Sequence, residues 1–358
     1  MRLLQILLAQ SEGGAETFFE KTAIAFQADP AIEQQLIVEA HAKRESRLRA
    51  SDCSVTSLPV DWLSKKITYN PKLQMTARKF KPDITLAWMS RAARKAPIIK
   101  GAIKVARIGG YYPLKHYLSC DYLVANTPEL ATYMVNQGWN PQRIAMISNF
   151  GEIPTDTQHG VDPRTLIPAG KPTLLTLGRL HKNKAQDILI KALPQIKEAH
   201  LLIAGEGELE SYLRELAQKL DVADRVHFLG WRRDTKFLFD CADICVFPSR
   251  EEPLGNVVLE AWATHTPIIA ADSSGPDWLI DHLENGLLSP IDAPQQLAVE
   301  VNRLLDDPTL SQQLVQQGYR KFESQFSKEI VLAQYNALFK EILEAKHKQR
   351  TADLSPWQ

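Results

Sequence analysis

Short apolar runs alternate with longer stretches in which apolar residues recur every three or four positions. The first pattern predicts buried strands and the second amphipathic helices. Leu3–Leu8 reads as the first strand, and Gly13-Gly14-Ala15-Glu16 opens a helix through about Phe26. Further strands are expected at Gln35–Val38, Ser54–Leu58, Ile84–Trp88, Lys104–Ile108, Tyr122–Ala125 and Ile144–Ser148. Pro128–Gln137 reads as a helix with Thr127 as its N-cap. The pattern lapses from Gly151 to Pro172, where Pro154, Gly160, Pro163, Pro168 and Gly170 mark a linker or hinge.

A second alternating set follows. Strands are expected at Thr173–Leu177, His200–Ala204, Val226–Leu229, Ile244–Pro248 and Pro267–Ala270. Helices are expected at Ala185–Leu193, Leu209–Leu220 and Asn256–Thr264. The end of the chain is helical: Gln296–Leu305, Thr309–Gln325 and Lys328–Ala345, then a polar tail. Such alternation argues for α/β architecture, with two Rossmann-like parallel-sheet domains covered by helices. The expected divisions are 1–160, 161–325, and a C-terminal segment 326–358 that packs back on the first domain. Open parallel sheets bind ligands at the carboxyl ends of their strands. A cleft between the two domains, lined by the loops 10–14, 178–184, 205–207, 230–234 and 249–255, is therefore the expected site.

Composition adds limits to this picture. The 358 residues are 44% hydrophobic and 23% charged, with formal net charge zero, which fits ordinary globular domains. The charge is unevenly spread. From residue 62 to residue 115, thirteen Lys and Arg side chains accompany a single acid, Asp83. That stretch reads either as solvated helix faces or as a surface for a membrane or an anionic substrate. No nucleic-acid reading motif accompanies it. The four cysteines, Cys53, Cys120, Cys241 and Cys245, have no CxxC spacing, and free thiols fit a reducing cytoplasm. The apolar start is short, is interrupted by Gln5 and lacks a cleavage site, so no signal peptide is expected. No run approaches a spanning helix.

The chemistry concentrates in three loops. In Pro248-Ser249-Arg250-Glu251-Glu252-Pro253-Leu254-Gly255-Asn256-Val257-Val258-Leu259-Glu260-Ala261, a strand ends and a helix begins near Gly255. Free N–H groups at a helix start can bind phosphate, and glycine permits close approach. Glu260 could accept hydrogen bonds from a ribose diol, and Glu252 from sugar hydroxyls. In Gly178-Arg179-Leu180-His181-Lys182-Asn183-Lys184, Arg179 and Lys184 could stabilise a leaving diphosphate. Gly13 and Gly14 would let a donor phosphate or sugar pack on the backbone. Glu16 could serve the helix N-terminus or an acceptor.

Glu252 and Glu260, in the context Pro-Ser-x-x-Glu-x-x-Gly-x-x-x-x-Glu-Ala, resemble the signature of retaining GT-B glycosyltransferases, especially glycosyltransferase family 4. Gly178-Arg179-Leu180…Lys184 resembles that family's Gly-Arg-Leu-x-x-x-Lys, with Ala185 where the family usually has Gly. Gly13-Gly14-Ala15-Glu16 resembles its Gly-Gly-x-Glu loop, and Gly205-Glu206-Gly207 its Ala-Gly-x-Gly turn near the nucleotide. The resemblance implies a GT-B fold and transfer of a sugar from a nucleotide diphosphate sugar, a UDP-sugar first among them, with retention. Arg179, Lys184 and Glu252 would be catalytic. Gly13, Gly14, Gly205, Gly207, Trp231, Leu254, Gly255, Asn256, Val257 and Glu260 would bind the nucleotide sugar. Neither metal nor cofactor is implied.

One departure stands out. Many members carry a histidine near the donor sugar where this chain reads Arg107-Ile108-Gly109-Gly110-Tyr111-Tyr112. Glu16, Arg107, Tyr111 and Tyr112 are candidate acceptor residues. The basic stretch suggests a lipid-linked or anionic glycan acceptor, such as a lipopolysaccharide core, and work at the inner face of the cytoplasmic membrane. A nucleotide-sugar epimerase and a non-catalytic nucleotide-sugar-binding scaffold are the alternatives.

Overall fold

The structure, a computed structural model, describes residues 1–11, 13–59, 70–151 and 160–353, with side chains through residue 348. Trp62, Lys65, Lys66, Pro154 and the end of the polar tail lie outside the described residues.

The chain forms two compact units, Met1–Asn149 with Lys328–Gln358, and Phe150–Ser327. It leaves the first unit after Asn149, upstream of the turn-rich stretch, and returns at Lys328. Unit one holds strands β1 (Arg2–Leu7), β2 (Glu33–Glu39), β3 (Val55–Leu58), β4 (Ile84–Trp88), β5 (Ile103–Ile108), β6 (Tyr122–Ala125) and β7 (Ile144–Met146). All pairings are parallel, in the order β3-β2-β1-β4-β5-β6-β7. Unit two holds β8 (Thr173–Leu177), β9 (His200–Ala204), β10 (Val226–Gly230), β11 (Ile244–Phe247), β12 (Ile268–Ala271) and β13 (Leu287–Ser289). These are also parallel, in the order β10-β9-β8-β11-β12-β13.

Central strands of such sheets are covered on both faces and so read as continuous apolar runs. β8 and β9 are buried throughout. Gln5, a polar interruption in the first run, is buried but satisfied. It donates to Gln34 Oε1 at 2.6 Å and accepts from Trp88 Nε1 at 2.8 Å. The C-terminal helix Lys328–Asp353 belongs to unit one. There Tyr335 and Phe339 pack on Phe26, with ring centroids 5.9 and 6.0 Å apart.

Several elements differ from the sequence reading. Helices at Ala42–Ala50, Pro71–Phe80, Met89–Lys95, Thr235–Asp240 and Ser274–Leu279 and strand β13 were not expected. They are short, none longer than ten residues. The helix expected at Thr309–Gln325 is Pro308–Lys321, followed by a π-turn at Phe322–Phe326. That turn rotates Phe326 into the core, where its ring meets Trp278 at 5.7 Å.

Strand order reverses between β1 and β4 in unit one, and between β8 and β11 in unit two. Successive connections there run to opposite faces of the sheet, leaving a crevice at the carboxyl ends.

Candidate functional site

In unit two the reversal falls between the two loops that carry the motif residues. Beyond β8 the chain turns at Gly178, with φ +143°. A short 3-10 turn follows at Lys182–Lys184, capped by the His181 ring, which accepts from the Asn183 N–H at 3.2 Å. Ala185 is left-handed, at φ +53°, and the helix Gln186–Ala192 begins after it. Beyond β11 the chain runs through a buried Ser249 to Gly255, which caps the helix Asn256–Ala263 at φ +90°. An L side chain there would be strained, whereas glycine adopts that conformation freely.

The two loops meet directly. Lys184 Nζ forms an ion pair with the Glu252 carboxylate, and both groups are largely shielded from solvent. The same ammonium lies 5.3 Å from the centroid of the Phe247 ring. Asn183 Nδ2 donates to Glu251 Oε2 at 2.8 Å, and the Arg250 N–H donates to the Asn183 carbonyl at 2.8 Å. The Arg179 side chain is exposed and has no hydrogen-bond or ion-pair partner among the described residues. The loops thus hold a paired Lys184 and an exposed Arg179 beside a helix start.

Gly205 and Gly207 have a packing role here. A Cβ on Gly205 would stand 1.9 Å from the Gly178 carbonyl oxygen, and one on Gly207 2.3 Å from that of Leu180. Backbone bonds from Gly178 N to Ala204 O, at 3.0 Å, and from Leu180 N to Glu206 O, at 3.0 Å, join the two loops. These glycines let the β9 loop lie against the Arg179 loop. Gly275, which the motif reading did not single out, does the same beneath Glu252. Its N–H donates to the Glu252 carbonyl at 2.8 Å, and a Cβ would meet Leu254 at 2.5 Å.

Among the other sequence candidates, Leu254 turns its side chain into the core, so only its backbone faces the loop. Asn256 and Val257 form the first turn of the helix, half-buried. Glu260 lies one turn further on, close to the buried Cys245. Burial, and secondarily the Glu260 charge, push that thiol well above its ordinary range. Trp231, just past β10, is 52% exposed, with the Arg233 guanidinium 5.0 Å from its ring centroid. Its N–H donates to Glu206 Oε1 at 3.3 Å.

In unit one, the reversal between β1 and β4 carries a cavity of about 270 Å³ lined by Leu8, Ala9, Gln10, Ser11, Glu16, Met89, Ser90 and Arg91. Gly13 caps the helix that begins at Gly14. Glu16, three positions on, is buried and accepts from Ser11 Oγ at 2.6 Å. Met89 is left-handed, at φ +66°, at the end of β4, a strained turn of a kind that gathers at ligand sites. Sequence reasoning missed this half of the cavity because Met89-Ser90-Arg91 matches no motif.

Arg107 stands apart from that cavity. It is 2% exposed, donates to Asn149 Oδ1, and lies 4.7 Å from the Phe18 ring and 5.2 Å from the Trp88 ring. Burial holds its guanidinium below its ordinary value, countered in part by Tyr335. A side chain so enclosed pins strand ends and the C-terminal helix, and cannot meet an acceptor directly. Tyr111 and Tyr112 are partly exposed. Tyr111 packs edge-on against Tyr133 at 5.3 Å, and the Tyr133 hydroxyl donates to the Tyr112 carbonyl at 3.2 Å. The basic stretch is also less free than its composition suggests. Lys95, Lys104 and Arg107 are buried, and Arg91 pairs with Glu39 at 2.8 Å.

Two parallel sheets, each reversing its strand order beside glycine-bearing loops, make a doubly wound α/β architecture whose switch points are the places for a ligand. Known proteins identify the class. The family described as Glycosyl transferases group 1 matches residues 161–321. The lipopolysaccharide core biosynthesis glycosyltransferases LpsE and LpsD of Rhizobium meliloti (strain 1021) are 34% and 30% identical to this chain. The alignments cover 90% and 92% of this chain and 95% of each relative. Among solved structures, Anabaena HepE in complex with UDP and glucose superposes with a TM-score of 0.80 at 22% identity. That match covers 96% of this chain and all of the other. The lipopolysaccharide outer core galactosyltransferase WaaB, in its apo form, gives a TM-score of 0.73 at 18% identity, over 95% of this chain and 100% of that one. The chain belongs to the group 1 glycosyltransferases and has their GT-B fold; it is an enzyme.

Proposed function

We propose that this glycosyltransferase belongs to family 4 and moves a hexose, with retention, from a nucleoside diphosphate sugar to a cell-envelope glycan of the lipopolysaccharide core type. The observation that carries the reading is the Lys184–Glu252 ion pair at the β8/β11 switch point, between the loop that bears Arg179 and the loop that leads to the Gly255 helix start. Departure of a diphosphate from the anomeric carbon leaves charge on its oxygens. Preorganised cations and backbone N–H groups lower the energy of that charge. Arg179 supplies a planar fork, Lys184 a point charge, and Gly255 to Val257 the N–H groups. Lys184 already faces Glu252, so an arriving diphosphate exchanges partners with it. The ammonium turns to phosphate, and the freed carboxylate accepts hydrogen bonds from the donor sugar. Glu260 takes the ribose diol and Trp231 stacks on the base. Gly13 and Gly14 let the donor approach the first strand's end. These cations do the electrostatic work without a metal, and the donor phosphate accepts the proton of the incoming hydroxyl.

The relatives LpsE and LpsD motivate the acceptor class, and HepE, solved with UDP, motivates a UDP-sugar donor. The acceptor enters near Glu16, Tyr111 and Tyr112. No helix among the described residues is long and apolar enough to cross a membrane. A lipid-linked acceptor would then be met peripherally, at an inner membrane face, through the basic residues of the 62–115 stretch. A thermal-shift panel of UDP, GDP, ADP and their sugars tests the donor half, because a bound ligand stabilises the native state by mass action. Stabilisation by UDP and UDP-hexoses is expected, and no response to any nucleotide would refute the reading. The anomeric configuration of a product made with the responding donor tests retention.

A further inference from the structure

Lys184 sits on a three-residue turn, and Glu252 in a loop 68 positions further along the chain. The turn has few bonds of its own, chiefly Lys184 N to His181 O at 2.8 Å and Ala185 N to Lys182 O at 3.3 Å. What ties it to the second loop is chiefly Arg250. The Arg250 guanidinium is largely shielded and spends three of its corners on protein. Nη1 donates to the Lys182 carbonyl at 2.6 Å, Nη2 to Asp187 Oδ2 at 3.0 Å, and Nε to Asp292 Oδ1 at 2.6 Å. Its backbone N–H adds the bond to the Asn183 carbonyl at 2.8 Å. Asp187 is braced from the other side by Lys191 at 2.9 Å. Burial would raise the Asp187 pKa, but hydrogen bonds from Arg250 and Lys191 outweigh it and hold the carboxyl below its ordinary range.

We infer that Arg250 is a positioning residue for sugar transfer: its planar fork locks the Lys182–Lys184 turn to the Glu252 loop and so fixes where the Lys184 ammonium stands. This rests on the donor-site reading above, in which Lys184 meets the diphosphate. The fork is committed to the Lys182 carbonyl, Asp187 and Asp292, so Arg250 acts through Lys184 and not on the phosphate. A lysine at 250 would keep the charge but could not reach these three acceptors in one plane. Charge alone would therefore not restore the function.

A double-mutant cycle on nucleoside diphosphate affinity tests this, measured by calorimetry with whichever of UDP, GDP or ADP the wild type binds. R250M is expected to weaken binding about tenfold in the wild-type background and less than twofold in K184M, with R250K recovering less than half of the loss on a logarithmic scale. Transfer assays should show the R250M loss in donor KM as well as in kcat. An equal penalty in both backgrounds, or full recovery by R250K, overturns the inference while leaving the donor site standing. If R250M does not fold, D292N removes the charge from one acceptor at a half-exposed position and should show a smaller effect with the same dependence on Lys184. Its additivity with K184M would overturn the inference equally. If the wild type binds none of the three nucleotides, the donor-site reading fails and the inference falls with it.

Discussion

Replacing Gly205 by alanine should disable unit two more than any conservative change at the charged residues. The residue has φ +153°, a conformation L side chains rarely adopt, and its new Cβ would stand 1.9 Å from the Gly178 carbonyl oxygen and 2.8 Å from the Gly178 carbonyl carbon. These are backbone atoms, so no side chain can swing aside. Backbone strain of about 1–3 kcal/mol adds to overpacking of about 1–3 kcal/mol, for a cost of about 2–6 kcal/mol. In a unit of this size each kcal/mol lowers Tm by about 2–4 °C, so a fall of at least about 4 °C is expected. The displaced peptide carries Arg179, so nucleotide affinity should fall with stability.

Gly13→Ala is the control. Its φ of −129° suits alanine. Its nearest obstacle, 2.8 Å away, is Glu16 Oε2, the far end of a flexible side chain, so the expected cost is below about 1 kcal/mol. Circular-dichroism melting of both variants with and without nucleotide is the assay. A G205A variant that melts within 1 °C of wild type, or a G13A variant that melts lower than G205A, would refute the packing argument.

Four further outcomes are expected. Arg179→Ala and Glu260→Ala should each cut transfer by about tenfold or more, about 1.4 kcal/mol of barrier, with melting unchanged; near-normal turnover in both would remove the site assignment. Trp231→Ala should weaken nucleotide binding by about threefold to tenfold, as befits loss of one stacking partner, and titration calorimetry reads it. His200 and His227 stack with Nδ1 and Nε2 3.0 Å apart. Burial lowers both pKa values, helped by Arg225 for His200 and by His200 for His227. The unfolded chain therefore binds more protons below about pH 6.5, and stability should fall as pH drops through that value. H200Q/H227Q should flatten this in urea titrations at pH 5 and 7. Neutralising Lys65, Lys66, Lys72, Arg78 and Lys79 together should weaken sedimentation with anionic liposomes; unchanged binding would favour a soluble acceptor.

Local pattern was enough to find most strands, since a strand buried on both faces is mainly apolar. Ile84–Trp88, Tyr122–Ala125, Thr173–Leu177 and His200–Ala204 are observed with the same limits. The loops bearing Arg179, Lys184, Glu252 and Glu260 were equally legible, because glycine at strand ends and acid-bearing helix starts are short-range signals. The short helix at Met89–Lys95 and strand β13 were not, since their few residues follow no clear period.

What only the tertiary structure decided is which distant segments meet. Parallel pairing is set by burial across whole sheets, so no local feature announces that β8 lies beside β11. Without that adjacency Lys184 and Glu252 remain two separate charges, and Arg250, Asp187 and Asp292 remain unremarked surface residues. The glycines show the same division. From the sequence Gly205 and Gly207 are turn residues near a nucleotide, whereas in the folded chain they make room for the loop that carries Arg179. Arg107 was an acceptor candidate by position at a strand end and is enclosed by Phe18, Trp88 and Tyr335. Side-chain burial depends on what packs from afar, here a helix more than 200 positions downstream, and a linear pattern holds no record of it.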